Sequence, residues 1–363
     1  MRMPIVQKHN LLNFTQKVFQ SFGLNADDAF ICADNLVMAD LRGIPSHGVA
    51  RLQRYVDGIR DGVILPHTRP TIVKETPVSA VIDGQAGLGQ LVGHFSTRLA
   101  IAKAKQAAVG IVTVRNSNHY GIAGYYSMMI LKENMLGISM TNSAPLVVPT
   151  FSREMVIGTN PISLAAPAKN RQPFVLDMAT SVIPRGKLEV YNREEKKMPE
   201  GWTVDENGQV TTDPGRVLNN LIKRLGGGIL PLGGEGELFS GYKGYGLAVL
   251  VDILCGVLSG GAYADLVDRT IEGKKVPAEV GHFFLALDIA SFINPDTFTA
   301  KMDDLLNRIQ NSAKAVNQNH IYIHGEKEFT FMEKYEKQGI PLQEKVYKNL
   351  QTIGQQCQVD FIL

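Results

Sequence analysis

The chain lacks the marks of a secreted, membrane-spanning or nucleic-acid-binding protein. It has only three cysteines in 363 residues. Cys32, Cys255 and Cys357 lie far apart with no Cys-x-x-Cys pair, so they read as free thiols in a reducing compartment, and a cytoplasmic location is expected. No N-terminal stretch combines a charged start, an apolar core and a small-residue cleavage site. Basic and acidic residues nearly cancel, 37 against 35 for a net charge of +2. They are interspersed with no basic block, which argues against nucleic acid or a membrane surface as the partner. The most apolar run, residues 246–264, is broken by Asp252, Gly256, Gly260 and Gly261. It reads as a buried helix and its turn, too interrupted for a membrane span. No His-Glu-x-x-His set or comparable cluster is present, so no metal is expected. The glycosylation sequon Asn13-Phe14-Thr15 carries little weight without a secretion signal.

What remains is an ordinary globular composition, 44% hydrophobic and 20% charged. The length exceeds what one core usually supports, so two domains, or one with an appendage, are expected. Residues 8–62 have helical patterning: an amphipathic segment to about Phe22, then a helix opening at Asn25 with Asp27 and Asp28 in its first turn. Residues 66–70, bounded by prolines, form a plausible boundary. Beyond it strands and helices alternate. Strands are expected at 78–82, 110–114, 138–141, 155–158, 163–166, 174–178 and 283–288, and helices at 94–107, 122–134, from Tyr245, and at 295–316. A polar helical stretch closes the chain. This interleaving predicts an α/β core with much parallel pairing.

The most informative stretch is Arg42-Gly43-Ile44-Pro45-Ser46-His47-Gly48-Val49-Ala50-Arg51-Leu52, with Tyr55 beyond it. Pro45 and Ser46 signal a helix start with Ser46 as cap, and the spacing predicts a helix over residues 47–59. Val49, Leu52, Val56 and Ile59 form its apolar stripe. His47, Arg51 and Tyr55 fall four apart on a polar face. An imidazole that titrates near neutrality, a guanidinium fork that grips carboxylates and a phenol that orients oxygen make a compact catalytic set. A plain solvated face is the alternative.

A second cluster, Asn116-Ser117-Asn118-His119-Tyr120-Gly121-Ile122-Ala123-Gly124, sits where a strand runs into a helix, the usual ligand position in open α/β sheets. Nearby, Gly87-x-Gly89-x-x-x-Gly93 approaches a dinucleotide fingerprint. Its spacing is one residue too long, and the next strand ends at Arg115 with no acidic residue for a ribose, so a conventional Rossmann site is not expected. Gly158-Thr159-Asn160-Pro161, Asp177-Met178-Ala179-Thr180-Ser181 and the glycine-rich residues 233–246 add small donors and the cation Lys243.

These motifs, in order from Asp40-Leu41-Arg42-Gly43 and Ser46-His47-Gly48 through Asn118-His119-Tyr120-Gly121 and Gly241-Tyr242-Lys243-Gly244 to His324-Gly325-Glu326, resemble the malate/L-lactate dehydrogenase family, type 2. Its members are nicotinamide-dependent oxidoreductases without a Rossmann fold. The resemblance implies a mixed central sheet; with the alternation above, the expectation is a mixed, largely parallel sheet over residues 71–295 and a helical domain from residues 1–70 and 296–363. It implies a homodimer using NAD or NADP. His47 matches the acid/base of some members and His119 that of others. Arg51 matches the substrate-carboxylate clamp, with Ser46 and Tyr55 as supporting donors. Asn118, His119, Tyr120, Gly121, Thr159, Asn160, Asp177, Met178, Ala179, Thr180, Ser181, Tyr242, Lys243 and Gly325 match cofactor contacts. Phe239-Ser240 departs from the pattern, which leaves NAD and NADP both open. Pro184-Arg185-Gly186-Lys187 fits it but receives no role. The implied reaction moves hydride between nicotinamide and C2 of a small 2-hydroxy or 2-oxo acid, malate and oxaloacetate first. Lactate, sulfolactate, ureidoglycolate, diketogulonate or a cyclic imino acid are the alternatives within the family. A catalytically silent metabolite-binding protein is the alternative from another class.

Overall fold

The computed structural model describes residues 4–362. At the N-terminal end the expected helices form as α1 (Lys8–Gln20) and α2 (Ala26–Leu41). Asn25 caps α2 by accepting the Asp28 N–H, and Asp27 and Asp28 lie against the positive end of the helix dipole. The third helix begins later than expected. A short 3₁₀ turn, Val49–Arg51, leads into α3 (Leu52–Arg60). Ser46 is not the cap. The buried Asp40 carboxyl accepts the Val49 N–H at 2.7 Å, while the Ser46 hydroxyl meets His47 Nδ1 at 2.9 Å. The Ser46 hydroxyl is taken up by His47, and Asp40 lies directly over Gly48, where any Cβ would come within 2.1 Å of its Oδ1.

The sheet carries seven strands: β1 (Thr71–Glu75), β2 (Ser79–Asp83), β3 (Val109–Ser117), β4 (Leu136–Thr141), β5 (Ile162–Ala166), β6 (Phe174–Met178) and β7 (Val280–Leu287). Their order is β1-β2-β3-β7-β4-β5-β6. Helices α4 (Gly89–Ala107) and α5 (Ala123–Leu131) connect β2 to β3 and β3 to β4. The α/β architecture and mixed sheet are as expected, but the parallel share is smaller. Only β2 and β3 pair in parallel; every other neighbouring pair is antiparallel. The βαβαβ pattern does send β2, β3 and β4 in one direction. The late strand β7 then inserts between β3 and β4 and turns one parallel pairing into two antiparallel ones. The strand expected at 155–158 is reduced to an isolated bridge between Ile157 and Val147.

Helices α6 (Arg185–Arg193) and α7 (Pro214–Lys223) pack on α8 (Gly241–Asp252) around Leu188, Val217, Leu221 and Ala248. The last of these starts at Gly241, four residues before the expected position, and continues as a π turn, Ile253–Val257. It buries Ala248, Val251 and Cys255, but Leu250, Ile253 and Val257 are 40%, 50% and 54% exposed. The expected buried helix and turn is therefore buried on one side only, and its other apolar side faces outward. No helix among the described residues is long and apolar enough to cross a membrane.

Three helices close the chain: α9 (Pro295–Gln310), α10 (Glu326–Gln338) and α11 (Glu344–Cys357). Leu11, Phe14, Leu36, Leu52 and Val56 from the N-terminal helices share a core with Ile340, Leu350 and Ile353. A second core, with Ile82, Val112, Val114, Tyr126 and Phe284, lies between the sheet, α4 and α5. Each such buried side chain contributes on the order of 1.5–3 kcal/mol. Helix α9 stands apart from the first core, held through Asp303 to the Lys169 and Asn170 amides. The candidate site forms where the two cores meet, at the start of α3 and the end of β3.

Candidate active site

His47 and His119, which are 72 residues apart in sequence, come together with ring centroids 5.7 Å apart and planes 23° from parallel. His119 leaves β3 on a loop fixed from below. Asn118 Nδ2 donates to the Ala86 and Gly87 carbonyls, 2.9 Å each. Gly89 lies so close to the Asn118 and His119 carbonyls that a Cβ would approach them to 2.2 and 2.4 Å. Gly93 likewise lies against the Tyr126 ring. Gly89 and Gly93 of the false dinucleotide fingerprint are therefore close-contact points of α4.

Tyr55 is not on a solvated face. It is completely buried, and its hydroxyl lies 2.6 Å from His119 Nδ1. The Gly121 N–H also points at that nitrogen, at 3.4 Å. Ser46 occupies His47 Nδ1 in the same way. Neither Nε2 has a hydrogen-bond partner among the described residues, so both are left for a ligand. Arg51 donates Nε to the Ser46 carbonyl at 2.6 Å. Its terminal nitrogens have no protein partner among the described residues, although the residue is half-buried. A guanidinium so placed favours an anion.

The electrostatics keep both imidazoles neutral. Burial, then Arg51 and Arg54, lowers His47 to about 4. Burial, then Arg54, His47, Arg51 and His282, pushes His119 well below the usual histidine range. Both rings are therefore uncharged at neutral pH; with the Gly121 N–H directed at its Nδ1, His119 carries its proton on Nε2. Behind them lies His282, fully buried on β7, with Nδ1 and Nε2 each 2.8 Å from the Thr141 and Ser117 hydroxyls.

The residues expected to touch a cofactor divide by placement. Asp177 accepts the Gly124 N–H at 2.8 Å, and burial raises its carboxyl to about 6 against the opposing effects of Gly124 and Arg42. The Val175 N–H donates to the His324 carbonyl at 3.1 Å, and Gly325 adopts φ +94° against Val175. These segments and Arg42, Tyr322, Lys327 and Glu328 line a cleft of about 230 Å³. Met178, the last residue of β6, and Ala179 just beyond it are half-buried. Other expected contacts are turned elsewhere. Tyr120 is 1% exposed, stacked 4.4 Å from His282 and bonded to Ser139. The fully buried Asn160 side chain is used up on Ala248, Asp252 and Ser143. Thr180 and Ser181 bond backbone carbonyls, and Thr159 lies 3.4 Å from the Ser143 hydroxyl. Packing claims these polar side chains because a buried polar atom left unpaired is costly. Tyr242 and Lys243 stand exposed at the start of α8.

Sequence reasoning missed Asp40, Arg42 and Glu328. The first two were visible inside a quoted motif, but only the fold shows what they face. It also missed Gln90, whose carboxamide is fully buried beside the Tyr55 hydroxyl and makes no hydrogen bond of good geometry among the described residues.

The sequence profile of the malate/L-lactate dehydrogenase family matches residues 6–351. The chain belongs to this family. A malate dehydrogenase of Pyrococcus horikoshii is 51% identical over 355 residues, covering 98% of this chain and 96% of the relative. A malate/(S)-sulfolactate dehydrogenase of Methanothermus fervidus is 38% identical, covering 95% of each chain. The crystal structure of malate dehydrogenase from Entamoeba histolytica superposes with a TM-score of 0.94 at 32% identity, over 99% of both chains.

A dehydrogenase of this family uses a nicotinamide cofactor, and the cleft fits part of one. Its volume is below the roughly 300 Å³ at which pockets hold a whole small ligand, so a dinucleotide would extend beyond it. Arg42 and Lys327 suit phosphate, Asp177 and Glu328 suit ribose hydroxyls, and Gly325 lets backbone approach closely.

Proposed function

We propose that this chain interconverts malate and oxaloacetate with NAD or NADP. The observation that carries the proposal is the pair of neutral imidazoles with free Nε2 atoms beside an Arg51 fork that lacks a protein partner. Arg51 grips the C1 carboxylate of the acid and fixes C2, removing orientational freedom from the reacting pair. His47 takes the C2 hydroxyl proton at Nε2 during oxidation and returns it during reduction. His119, held by Tyr55, donates to the same oxygen. The nicotinamide, when bound, supplies the hydride exchange at C2. Residues 118–124, 159–160, 177–181, 242–243 and Gly325 hold it, through backbone where packing has claimed the side chains.

Two further elements belong to the proposal. The exposed apolar side of α8 supports a homodimer. The three free thiols suit a reducing cytoplasm. Oxidation of NADH and NADPH is followed with oxaloacetate, pyruvate and other 2-oxo acids, and turnover of oxaloacetate is expected with at least one cofactor. No turnover of any 2-oxo acid with either cofactor overturns the proposed function.

A further inference from the structure

Charge does not balance around Arg51. Arg54 and Arg185 act against its guanidinium, while Glu189 and the Tyr55 phenol act in its favour, Glu189 being the one carboxylate to do so among the described residues. Arg185 comes from a distant part of the chain. Helix α6 begins with it, and the next residue, Gly186, packs against Ser46, so that a Cβ built on it would lie 3.9 Å from the Ser46 Cβ. Ser46 is the residue whose carbonyl holds Arg51. Glu189, one turn along α6, accepts from Arg185 Nε at 3.1 Å, which leaves the two terminal nitrogens of Arg185 without a partner among the described residues. That ion pair is 41% and 48% exposed and therefore weak, so a ligand can engage Arg185 without breaking a strong contact. Arg54 is exposed on α3 one turn beyond Arg51.

Arg51, Arg54 and Arg185 thus share one carboxylate, Glu189, and two of the three guanidiniums, Arg51 and Arg54, also act on the neutral imidazoles of His47 and His119. Two positive charges are unmatched by protein. A monocarboxylate held by Arg51 answers one of them. An acid with a second anionic group answers both.

We propose that Arg185, with Arg54 beside it, forms a second anion subsite that selects 2-oxo and 2-hydroxy acids carrying a distal carboxylate or sulfonate over monoanionic ones. This rests on the reading of Arg51 as the C1-carboxylate clamp of a 2-hydroxy acid dehydrogenase. Because Arg54 is exposed and Arg185 is 41% exposed, the discrimination comes from the charge-assisted bond that a distal anion adds and a monoanion cannot make.

The test measures kcat/KM for oxaloacetate and pyruvate, with NADH and NADPH, in the parental enzyme, Arg185→Gln, Arg185→Lys and Arg54→Gln. Pyruvate enters as a competitive inhibitor if it is not turned over. Arg185→Gln is expected to lower the oxaloacetate-to-pyruvate preference by about 10- to 100-fold, the value of one charge-assisted bond, mainly through KM for oxaloacetate. Arg185→Lys is expected to keep most of the preference, and Arg54→Gln to lower it less than Arg185→Gln. A preference within about twofold of the parent in both glutamine variants overturns the subsite while leaving the proposed function standing. A parental enzyme that reduces no 2-oxo acid overturns both.

Discussion

Arg51 has one nitrogen fixed on the Ser46 carbonyl and its fork unmatched by protein, so its shape is as important as its charge. Arg51→Lys keeps the cation and loses the planar fork. It is expected to cost about 2–4 kcal/mol in kcat/KM for the 2-oxo acid, with little change in KM for the nicotinamide; steady-state kinetics with each substrate varied measures both. The histidines separate by the same means. His47→Ala is expected to reduce kcat by on the order of a hundredfold, and His119→Ala to act more on KM. Full kcat in His47→Ala transfers the proton-carrying role to His119, and full activity in both variants removes histidine from the mechanism.

The turn that carries His47 depends on one group, Asp40, at the last turn of α2. It caps the 3₁₀ turn through Val49 and covers Gly48. Burial raises its carboxyl to about 7, with the Val49 N–H acting in the opposite direction. A carboxyl whose folded value lies above its unfolded value of about 3.9 makes the folded state bind the extra proton. Its contribution to stability is therefore full below about pH 4 and is lost as pH rises through 7. Asp40→Asn keeps an acceptor for Val49 without the ionisation. Its melting temperature is expected to gain on the parent as pH rises from 4 to 8. Asp40→Ala is expected to lose about 1–2 kcal/mol of stability from the missing cap; thermal melts across that pH range measure both variants. A difference between Asp40→Asn and the parent that does not change with pH would show that Asp40 is not the titrating group.

At the level of the whole molecule, two cores meet at the site, and the exposed side of α8 and its π turn has no partner among the described residues. Leu250, Ile253 and Val257 stand 40–54% exposed, a side that a second copy of the chain would cover. Light scattering at micromolar concentration is expected to give twice the 39.8 kDa of one chain. Ile253→Glu with Leu250→Glu is expected to shift the mass towards one chain. A parental mass of one chain contradicts the dimer.

What local forces control was legible in the residue pattern. The spacing of Val49, Leu52 and Val56 set a buried helix face, and Asn25 with the two aspartates after it set the start of α2. The alternation from β2 through α4, β3 and α5 to β4 followed from strand and helix periodicity. His47, Arg51 and His119 were marked by residue type at helix and strand ends. Tertiary structure alone decided what depends on residues far apart in the chain. Leu285 of β7 pairs with Ile111 of β3 and Ile138 of β4, and no periodicity near residue 285 records that destination. The hydroxyl of Tyr55 goes to His119, Tyr120 turns in against His282 and Asp40 replaces Ser46 as the cap. In each case a polar group moving into a buried setting takes the strongest partner the fold brings within reach. That partner is fixed by long-range packing, which local sequence pattern does not encode.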